Sequence, residues 1–292
     1  MMSISQQQDE QGPSDIKKSL NVLMLQSKAQ LRNAAKSIDN YNSILEKYTP
    51  EDEIDLIVLG ELAFTGGIFY SKEDLINYSI TFGYGDLFKW CKEISQKFGC
   101  FVIAGYAEFD NYKYYNSMLI VSDEGIPYKN YRKCKLNQTS DKFFTAGAGY
   151  DFVDIQFKRI SQWIRIGLGI GNDILNYGVF DYESMDFAEF QHYHKAQLIV
   201  LITAFEEPSS LFNDASIAQI SATTWINRLV PIRKQAEKED RNIYFIACNR
   251  IGKENYQTFT GGSCIVRIVP KISFKILYPG KVEYSCIQKI EI

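Results

Sequence analysis

The stretch Ile54-Asp-Leu-Ile-Val-Leu-Gly-Glu61 is an apolar run that ends in a glycine and a carboxylate. A short, almost continuous apolar segment of this kind is typical of a strand buried on both faces. Similar segments recur along the chain, and we predict strands at residues 20–25, 54–59, 100–104, 164–170, 197–202, 243–247, 262–268 and 284–290.

Segments with helical patterns separate these strands. In residues 86–98, Leu87, Trp90, Ile94 and Phe98 fall on one face, and Gly99 follows as a stop. We also predict helices at residues 28–48, 182–195 and 217–240, and a hairpin that joins residues 115–121 to residues 128–131. Buried strands mixed with hairpins indicate an α/β protein with mixed sheets and two layers of strand, rather than a parallel doubly wound sheet.

Nothing in the sequence divides residues 19–292, so we predict one domain there. Residues 1–18 are polar and read as a disordered N-terminal arm without an export signal. The net charge of −3 argues against general binding to nucleic acid or to an anionic membrane, and no apolar run is long enough to span a bilayer. We therefore expect a cytoplasmic protein, with the nucleus as a second possible compartment.

The six cysteines and two histidines are scattered, with no short ligand spacing. A structural zinc site takes about four such ligands at recurring short spacings. His192 and His194 stand two residues apart in a helical stretch and therefore face different directions. The sequence predicts neither a metal nor a cofactor.

Glu61 is the first candidate for chemistry, because it leaves a buried strand into the glycine-flanked turn 59–67. A carboxylate partly removed from water there has a raised pKa, which suits a general base. The alternative is a solvated turn residue.

Lys133 is the second candidate, within Tyr131-Arg-Lys-Cys-Lys135. Strand alternation places Tyr131, Lys133 and Lys135 on one face, and Arg132 and Cys134 on the other. A lysine aimed at a carbonyl oxygen stabilises the oxyanion of a tetrahedral intermediate. A basic edge strand that discourages aggregation is the alternative.

The third segment is Ile166-Gly-Leu-Gly-Ile-Gly-Asn-Asp173. It lacks the helix start of a dinucleotide-binding loop, because its glycines alternate inside the apolar run. Gly167 and Gly169 are therefore predicted to be close-packing positions in a strand, and Gly171 falls at its end.

Together the three segments resemble the nitrilase superfamily of carbon–nitrogen hydrolases. Residues 59–67 (LGELAFTGG) are similar to the LPE-x-x-x-TGY segment of that family, residues 130–136 (NYRKCKL) to its YRK-x-x-L segment, and residues 166–173 to its IG-x-x-ICxD segment. The segments Trp225-Ile-Asn-Arg-Leu229 and Ala247-Cys-Asn-Arg-Ile-Gly-Lys-Glu254 are most similar to protein N-terminal asparagine/glutamine amidases. The resemblance runs from Leu20 to the C-terminus.

The resemblance implies an αββα sandwich in which glutamate, lysine and cysteine converge. The cysteine thiolate attacks the amide carbon, the glutamate transfers protons, and the lysine with a backbone N–H stabilises the oxyanion. Carried over to this chain, Glu61 matches the glutamate and Lys133 the lysine, but Gly171 stands where the family has its nucleophilic cysteine. Removal of such a nucleophile typically costs about a million-fold in turnover, so ordinary nitrilase catalysis is not expected.

Three interpretations follow, and the sequence leaves open whether the chain is an enzyme. The first is a catalytically silent homologue that binds an amide or an N-terminal Asn/Gln peptide, as a homo- or hetero-oligomer. The second is a working amide hydrolase that uses a relocated nucleophile, with Cys134 the nearest candidate, or a water activated by Glu61. The third is a structural protein whose pocket has no function.

Overall fold

The computed structural model describes residues 19–160, 162–175, 184–207, 214–239, 242–269 and 271–292. The arm predicted at residues 1–18 lies outside the described residues. Within these ranges the chain forms fourteen strands. In chain order they are Ser19–Gln26 (β1), Leu56–Leu59 (β2), Phe101–Asp110 (β3), Lys113–Val121 (β4), Pro127–Arg132 (β5), Asp151–Gln156 (β6), Trp163–Ile170 (β7), Leu198–Thr203 (β8), Ile243–Asn249 (β9), Ile251–Glu254 (β10), Gln257–Thr260 (β11), Cys264–Val269 (β12), Ser273–Leu277 (β13) and Tyr284–Glu291 (β14).

Six α-helices lie in the same ranges, together with two short 3₁₀ helices at Pro50–Asp52 and Gly171–Ile174. The α-helices are Ala34–Leu45 (α1), Lys72–Ile76 (α2), Gly85–Phe98 (α3), Asp186–Tyr193 (α4), Asp214–Asn227 (α5) and Val230–Glu239 (α6).

The strands form two six-stranded mixed sheets and one two-stranded sheet, β10 with β11. The first large sheet has the order β14-β1-β2-β3-β4-β5, with β1, β2 and β3 parallel and the remaining pairs antiparallel. The second has the order β13-β12-β9-β8-β7-β6, with β7, β8 and β9 parallel. The mixed α/β class is thus confirmed, and so is the hairpin of β4 with β5.

Most of the hydrophobic core lies in three layers. Val58 and Ile103 of the first sheet pack in one cluster with Ile170 and Val200 of the second, so the two sheets face each other. On the outer face of the first sheet, α1 and α3 supply a second cluster, and α4, α5 and α6 supply a third outside the second sheet. The arrangement is the four-layered αββα sandwich, with strands in the middle buried on both sides.

Helix α3 follows its predicted pattern. Its buried side chains include Leu87, Trp90, Ile94 and Phe98, which contribute to the second cluster. Gly99 ends the helix in the left-handed conformation, with φ +61°, and its N–H donates to the carbonyl of Ser95. Glycine adopts this conformation without the steric cost that a side chain would add.

The single helix predicted at residues 217–240 is wrong, because the chain forms two helices there. Pro231 has no N–H to donate to the carbonyl four residues earlier, and its ring crowds that carbonyl. The first helix accordingly ends at Asn227, four residues before the proline, and the second begins at Val230. Trp225 and Leu229, which were predicted to lie on the apolar side of the helix, are fully buried.

Helix α1 covers Ala34–Leu45 and is shorter than the helix predicted at residues 28–48. Helix α4 covers Asp186–Tyr193, and residues 182–183 of the helix predicted at 182–195 lie outside the described residues. Asn33 sets the start of α1, because its side chain accepts a hydrogen bond from the N–H of Lys36. The edge strands β6 and β13 are not among the predicted strands, because their sequences lack a continuous apolar run.

Candidate active site

The ends of four strands from both sheets meet at one cavity of about 340 Å³. Glu61 follows β2, Lys133 follows β5, Gly171 follows β7 and Ala204 follows β8. The described lining residues are Glu61, Leu62, Gly67, Lys133, Asn137, Ser140, Asp141, Gly171, Asn172, Thr203, Ala204, Phe205, Glu206, Glu207, Arg250, Gln257 and Phe259. The three residues singled out from the sequence therefore share one cavity, at the strand ends where α/β proteins commonly bind ligands.

Glu61 is buried, with 5% of its surface exposed, so it is not a solvated turn residue. Its Oε1 accepts hydrogen bonds from Lys133 Nζ at 2.7 Å and from Asn116 Nδ2 at 2.7 Å. Its Oε2 accepts one from the backbone N–H of Ala204 at 2.9 Å. Three donors thus fix the carboxylate in one orientation.

A glycine behind Glu61 allows the turn to lie directly on β3. A Cβ at Gly105 would stand 2.5 Å from the carbonyl oxygen of Gly60 and 2.7 Å from the Cα of Glu61. The N–H of Gly105 donates to that same carbonyl, and its own carbonyl accepts from Ala63. Close backbone packing, rather than a long side chain, positions the carboxylate.

Lys133 is as buried as Glu61, and it lies between two carboxylates. Its Nζ is 2.7 Å from Glu61 Oε1 and 2.8 Å from Asp141 Oδ2. Burial alone would lower the pKa of Lys133, but the charges of Glu61 and Asp141 outweigh burial and raise the pKa above its ordinary value. The lysine is therefore held as an ammonium ion next to the cavity.

Asp141 and Asn116 complete this cluster, and neither is among the site residues predicted from the sequence. Asn116 Nδ2 donates to Asp141 Oδ1 at 3.1 Å as well as to Glu61. Asp141 Oδ2 also accepts from the N–H of Asn137. Asp141 lies in a loop eight residues after Lys133, and no local pattern marks it, whereas Asn116 occupies a strand position that faces the same side as Met118.

Gly171 closes the site from the second sheet. Its φ is +49°, in the left-handed region that favours glycine. A Cβ at this position would lie 2.8 Å from Glu61 Oε2 and 3.1 Å from Lys133 Nζ. Position 171 is thus aimed at both charged groups, and the residue there has no side chain to present.

Asp173 ties the segment of Gly171 to the segment of Lys133. Its carboxylate accepts hydrogen bonds from the N–H groups of Ile170, Cys134 and Lys135, and from the hydroxyl of Tyr131. Burial raises the pKa of Asp173 to about 6, although these donors oppose that effect. One side chain therefore joins the ends of β5 and β7 across the two sheets.

Strand β5 ends at Arg132, so the alternation predicted as far as Lys135 does not continue. Lys133 still faces the site, but Lys135 is 43% exposed and lies 3.9 Å from Asp186. Cys134 packs against the core between the sheets, with its sulfur 3.4 Å from the hydroxyl of Tyr131.

None of the six cysteines is among the described residues that line the cavity. Burial raises the pKa of the Cys134 thiol to about 11, and those of Cys248 and Cys264 to about 12. A thiol with a raised pKa is a poor nucleophile near neutral pH. The geometry therefore gives no support to a relocated cysteine.

Gly167 and Gly169 occupy close-packing positions in β7, as predicted. A Cβ at Gly167 would stand 2.4 Å from Oε1 of Gln191, and one at Gly169 would stand 3.0 Å from the ring of Phe187. Both partners belong to α4, which lies directly on this strand.

The outer cavity carries a second set of charged groups. Arg250 is buried and pairs with Glu254 at 2.5 Å, with its guanidinium 4.4 Å from the ring centre of Phe259. Glu206 accepts a hydrogen bond from Gln257, and burial raises the pKa of its carboxyl group. Glu207 pairs with Lys281 at 3.2 Å.

Among the described residues, no group of three or more His, Cys, Asp or Glu side chains is arranged to hold a metal ion. In the same ranges, no helix is both long and apolar enough to cross a membrane.

Comparison with known proteins decides the family. A sequence profile of the carbon–nitrogen hydrolases matches residues 20–269, most of the chain. The chain belongs to the carbon–nitrogen hydrolase family. The matched region contains Glu61, Lys133 and Gly171.

The relatives of this family member include two yeast proteins, each named protein N-terminal amidase. The one from Schizosaccharomyces pombe is 24% identical over 259 residues, which are 82% of this chain and 88% of that protein. The one from Saccharomyces cerevisiae is 38% identical over 125 residues, which are 41% of this chain but only 27% of that longer protein. Within the carbon–nitrogen hydrolase family, the chain is thus similar to proteins named N-terminal amidase.

A solved structure confirms the fold. The crystal structure of an N-terminal amidase with an Asn-Glu peptide superposes with a TM-score of 0.81 and 18% identity. The match covers 93% of this chain and 97% of that one. The αββα fold predicted from the resemblance is therefore confirmed.

Proposed function

We propose that this protein binds the N-terminal residue of Asn- or Gln-initiated peptides in the cavity and does not hydrolyse its side-chain amide at the rate of an active family member. The observation that carries the proposal is the geometry at Gly171, where the missing Cβ would face Glu61 and Lys133 at 2.8 and 3.1 Å. The family resemblance implies three catalytic groups. Two of them, the Glu61 carboxylate and the Lys133 ammonium, are present beside the cavity, but Gly171 supplies no attacking atom.

The charge of the cavity supports a ligand with a positive end. Its described lining has the carboxylates of Glu61, Asp141, Glu206 and Glu207, against the cations of Lys133 and Arg250. A cleft lined by an excess of one charge attracts the opposite charge. A peptide N-terminus is an ammonium ion at neutral pH, which matches this excess of carboxylates.

The buried cluster around Glu61 and Lys133 supports an amide as the part of the peptide that lies deepest in the cavity. In an active family member, a lysine and a glutamate act on the carbonyl and the leaving amine of such a group. Here the Lys133 ammonium and the Glu61 carboxylate lie side by side at the cavity wall, fixed by Asp141, Asn116 and a backbone N–H. The site remains organised for an amide although the chain has lost the group that would form the covalent intermediate.

The test compares binding with turnover in the same protein. We expect Asn- and Gln-initiated peptides to bind in a titration, and ammonia release from them to stay at the level of the Glu61→Gln variant. Ammonia release by the unmodified protein that is abolished by Glu61→Gln would instead favour hydrolysis by a water that Glu61 activates. Release that survives Glu61→Gln but is lost in Cys134→Ser would establish a relocated thiol. Absence of binding for every peptide would refute the proposal.

A further inference from the structure

A second cavity, of about 520 Å³, is lined by three lysines. Lys28 follows β1, Lys253 belongs to β10, and Lys281 lies in the turn between β13 and β14. We call this cavity the lysine groove. Because the whole chain has a net charge of −3, the lysine groove is a local concentration of positive charge on an acidic protein.

The carboxylates around the lysine groove do not neutralise it. Glu283 is the only acidic residue in its described lining, against three lysines. Lys281 pairs with Glu207 at 3.2 Å, but no carboxylate among the described residues pairs with Lys28 or Lys253. A cleft lined by an excess of one charge attracts the opposite charge, so the lysine groove favours an anionic ligand.

The turn that carries Lys281 is fixed from beneath. The side-chain amide of Gln26, which is fully buried, donates hydrogen bonds to the carbonyl groups of Pro279 and Val282. Lys281 itself has a φ of +57°, in the left-handed region that is unfavourable for a residue with a side chain. The backbone of Lys281 is therefore in place before any ligand binds, which reduces the entropy that binding would cost.

The lysine groove and the candidate active-site cavity share a wall. Along β11, Gln257 and Phe259 line the candidate active-site cavity, and Thr258 between them lines the lysine groove. Glu207 of that cavity pairs with Lys281 of the lysine groove, and the N–H of Glu207 donates to the carbonyl of Thr258. A polypeptide that leaves the candidate active-site cavity past Glu207 therefore meets the lysine groove.

The lining of the lysine groove suits a polypeptide better than a nucleic acid. Nucleic-acid sites commonly use arginine forks and aromatic rings that stack on bases. The described lining of the lysine groove contains neither, and it offers aliphatic surface from Ile251 and from Val282, which is 51% exposed. Lysine ammonium ions with an aliphatic surface between them match acidic side chains along an extended chain.

We propose that the lysine groove binds acidic residues of the same polypeptide whose N-terminus occupies the candidate active-site cavity. The protein then prefers ligands that carry Asp or Glu a few positions after the first residue. This inference rests on the proposed binding function and adds a second contact to it. Each exposed lysine–carboxylate pair contributes little, so a run of acidic residues is needed. Binding of the N-terminus raises the effective concentration of that run at the lysine groove.

The test uses Asn-initiated peptides of equal length, in which a short acidic run or its amide counterpart stands at successive positions after the first residue. At low salt, we expect the acidic run at its best position to tighten binding about three- to ten-fold. This advantage should disappear at about 1 M salt, where charges on the surface are screened.

Two double variants separate the lysine groove from the overall charge. Lys28→Gln/Lys253→Gln should abolish the advantage of the acidic run. Lys92→Gln/Lys113→Gln is the matched control, because it removes the same charge at two exposed lysines outside both cavities, and it should keep the advantage.

The outcomes also separate this inference from the proposed function. Asn-initiated peptides that bind with no advantage for the acidic run at any position would overturn the inference and leave peptide binding standing. Equal effects of the two double variants would overturn it as well. Stronger displacement of the acidic peptide by single-stranded DNA than by polyglutamate of equal charge would indicate a nucleic-acid site and overturn it. Binding of no Asn-initiated peptide would overturn both proposals.

Discussion

Gly171 and Glu61 face each other across the two sheets, and a Cβ on the glycine would lie 2.8 Å from Oε2 of the glutamate. The carboxylate cannot easily move away, because Lys133, Asn116 and the N–H of Ala204 hold it. The residue at position 171 therefore determines whether a side chain fills the space beside the Glu61 carboxylate. In this chain Gly171 places no side chain in that space.

The first prediction concerns the stability of Gly171→Ala. A side chain in the left-handed conformation costs roughly 1–2 kcal/mol, and crowding of a fixed neighbour costs about 1–3 kcal/mol more. Gly99→Ala is the matched control, because its φ of +61° carries the first cost while no atom lies within 4 Å of its Cβ. Denaturant unfolding should show the larger loss at Gly171, and equal losses would mean that Glu61 is not held in place.

The second prediction concerns Lys133→Met. This change leaves the buried carboxylates of Glu61 and Asp141 without their shared cation, and breaking such a cluster typically costs about 3–5 kcal/mol. Lys135→Met is the control, because that side chain is 43% exposed and its ion pair is long at 3.9 Å. Denaturant unfolding should show a large loss for the first variant and almost none for the second. Similar small losses would contradict a buried charge cluster.

The third prediction concerns Asp173 and pH. Its pKa is raised to about 6 in the folded state, from about 3.9 in an unfolded chain, so the folded state keeps the proton over this interval while the unfolded state releases it. Protonation of Asp173 therefore adds up to roughly 3 kcal/mol to the free energy of unfolding. This contribution is fully present below about pH 4 and is lost as pH rises through about 6. The Asp173→Asn variant is expected to lack this pH-dependent loss of stability. It should be less stable overall, because the NH₂ group of the asparagine would face a backbone N–H donor.

The measurement is the free energy of unfolding of both proteins at pH 4 and pH 7. The unmodified protein should lose more stability between the two values than the variant does. Parallel pH profiles would contradict the assignment, since the remaining titrating groups are common to both.

The fourth prediction concerns Glu206 as a partner of the peptide ammonium. Glu206→Gln should weaken binding of an Asn-initiated peptide several-fold, because it removes a carboxylate from the cavity wall. An N-acetylated peptide, which lacks the charge, should bind weakly and equally to both proteins. The exposed Glu124, which is outside the cavity lining, provides the control substitution Glu124→Gln. Equal effects of the two substitutions would contradict this role.

Much of the fold follows from local sequence. Buried strands such as β2 and β8 appear as apolar runs, and α3 appears as an amphipathic pattern ended by Gly99. Residues 214–239 have a helical pattern that is continuous apart from Pro231. Their division into two helices is predictable only if the effect of this proline is given more weight than the pattern. Edge strands such as β6, half exposed, carry too weak a pattern to be recognised.

The site was predictable only in part. Glu61, Lys133 and Gly171 are marked by motifs at strand ends, and the sheets bring these ends together. Asp141 lies in a loop, and its contact with Lys133 depends on the path of that loop, which no periodicity encodes. The left-handed backbone of Gly171 and its approach to Glu61 and Lys133 are likewise properties of the assembled structure.

The central claim is that the site is organised for an amide and lacks only the attacking group. The most direct measurement is ammonia release from an Asn-initiated peptide by the unmodified protein and by Gly171→Cys. We expect no release above the Glu61→Gln background for the unmodified protein, and a gain of at least about a hundred-fold for Gly171→Cys, well within the effect of removing such a nucleophile. Substantial release by the unmodified protein, unchanged in Gly171→Cys, would contradict it.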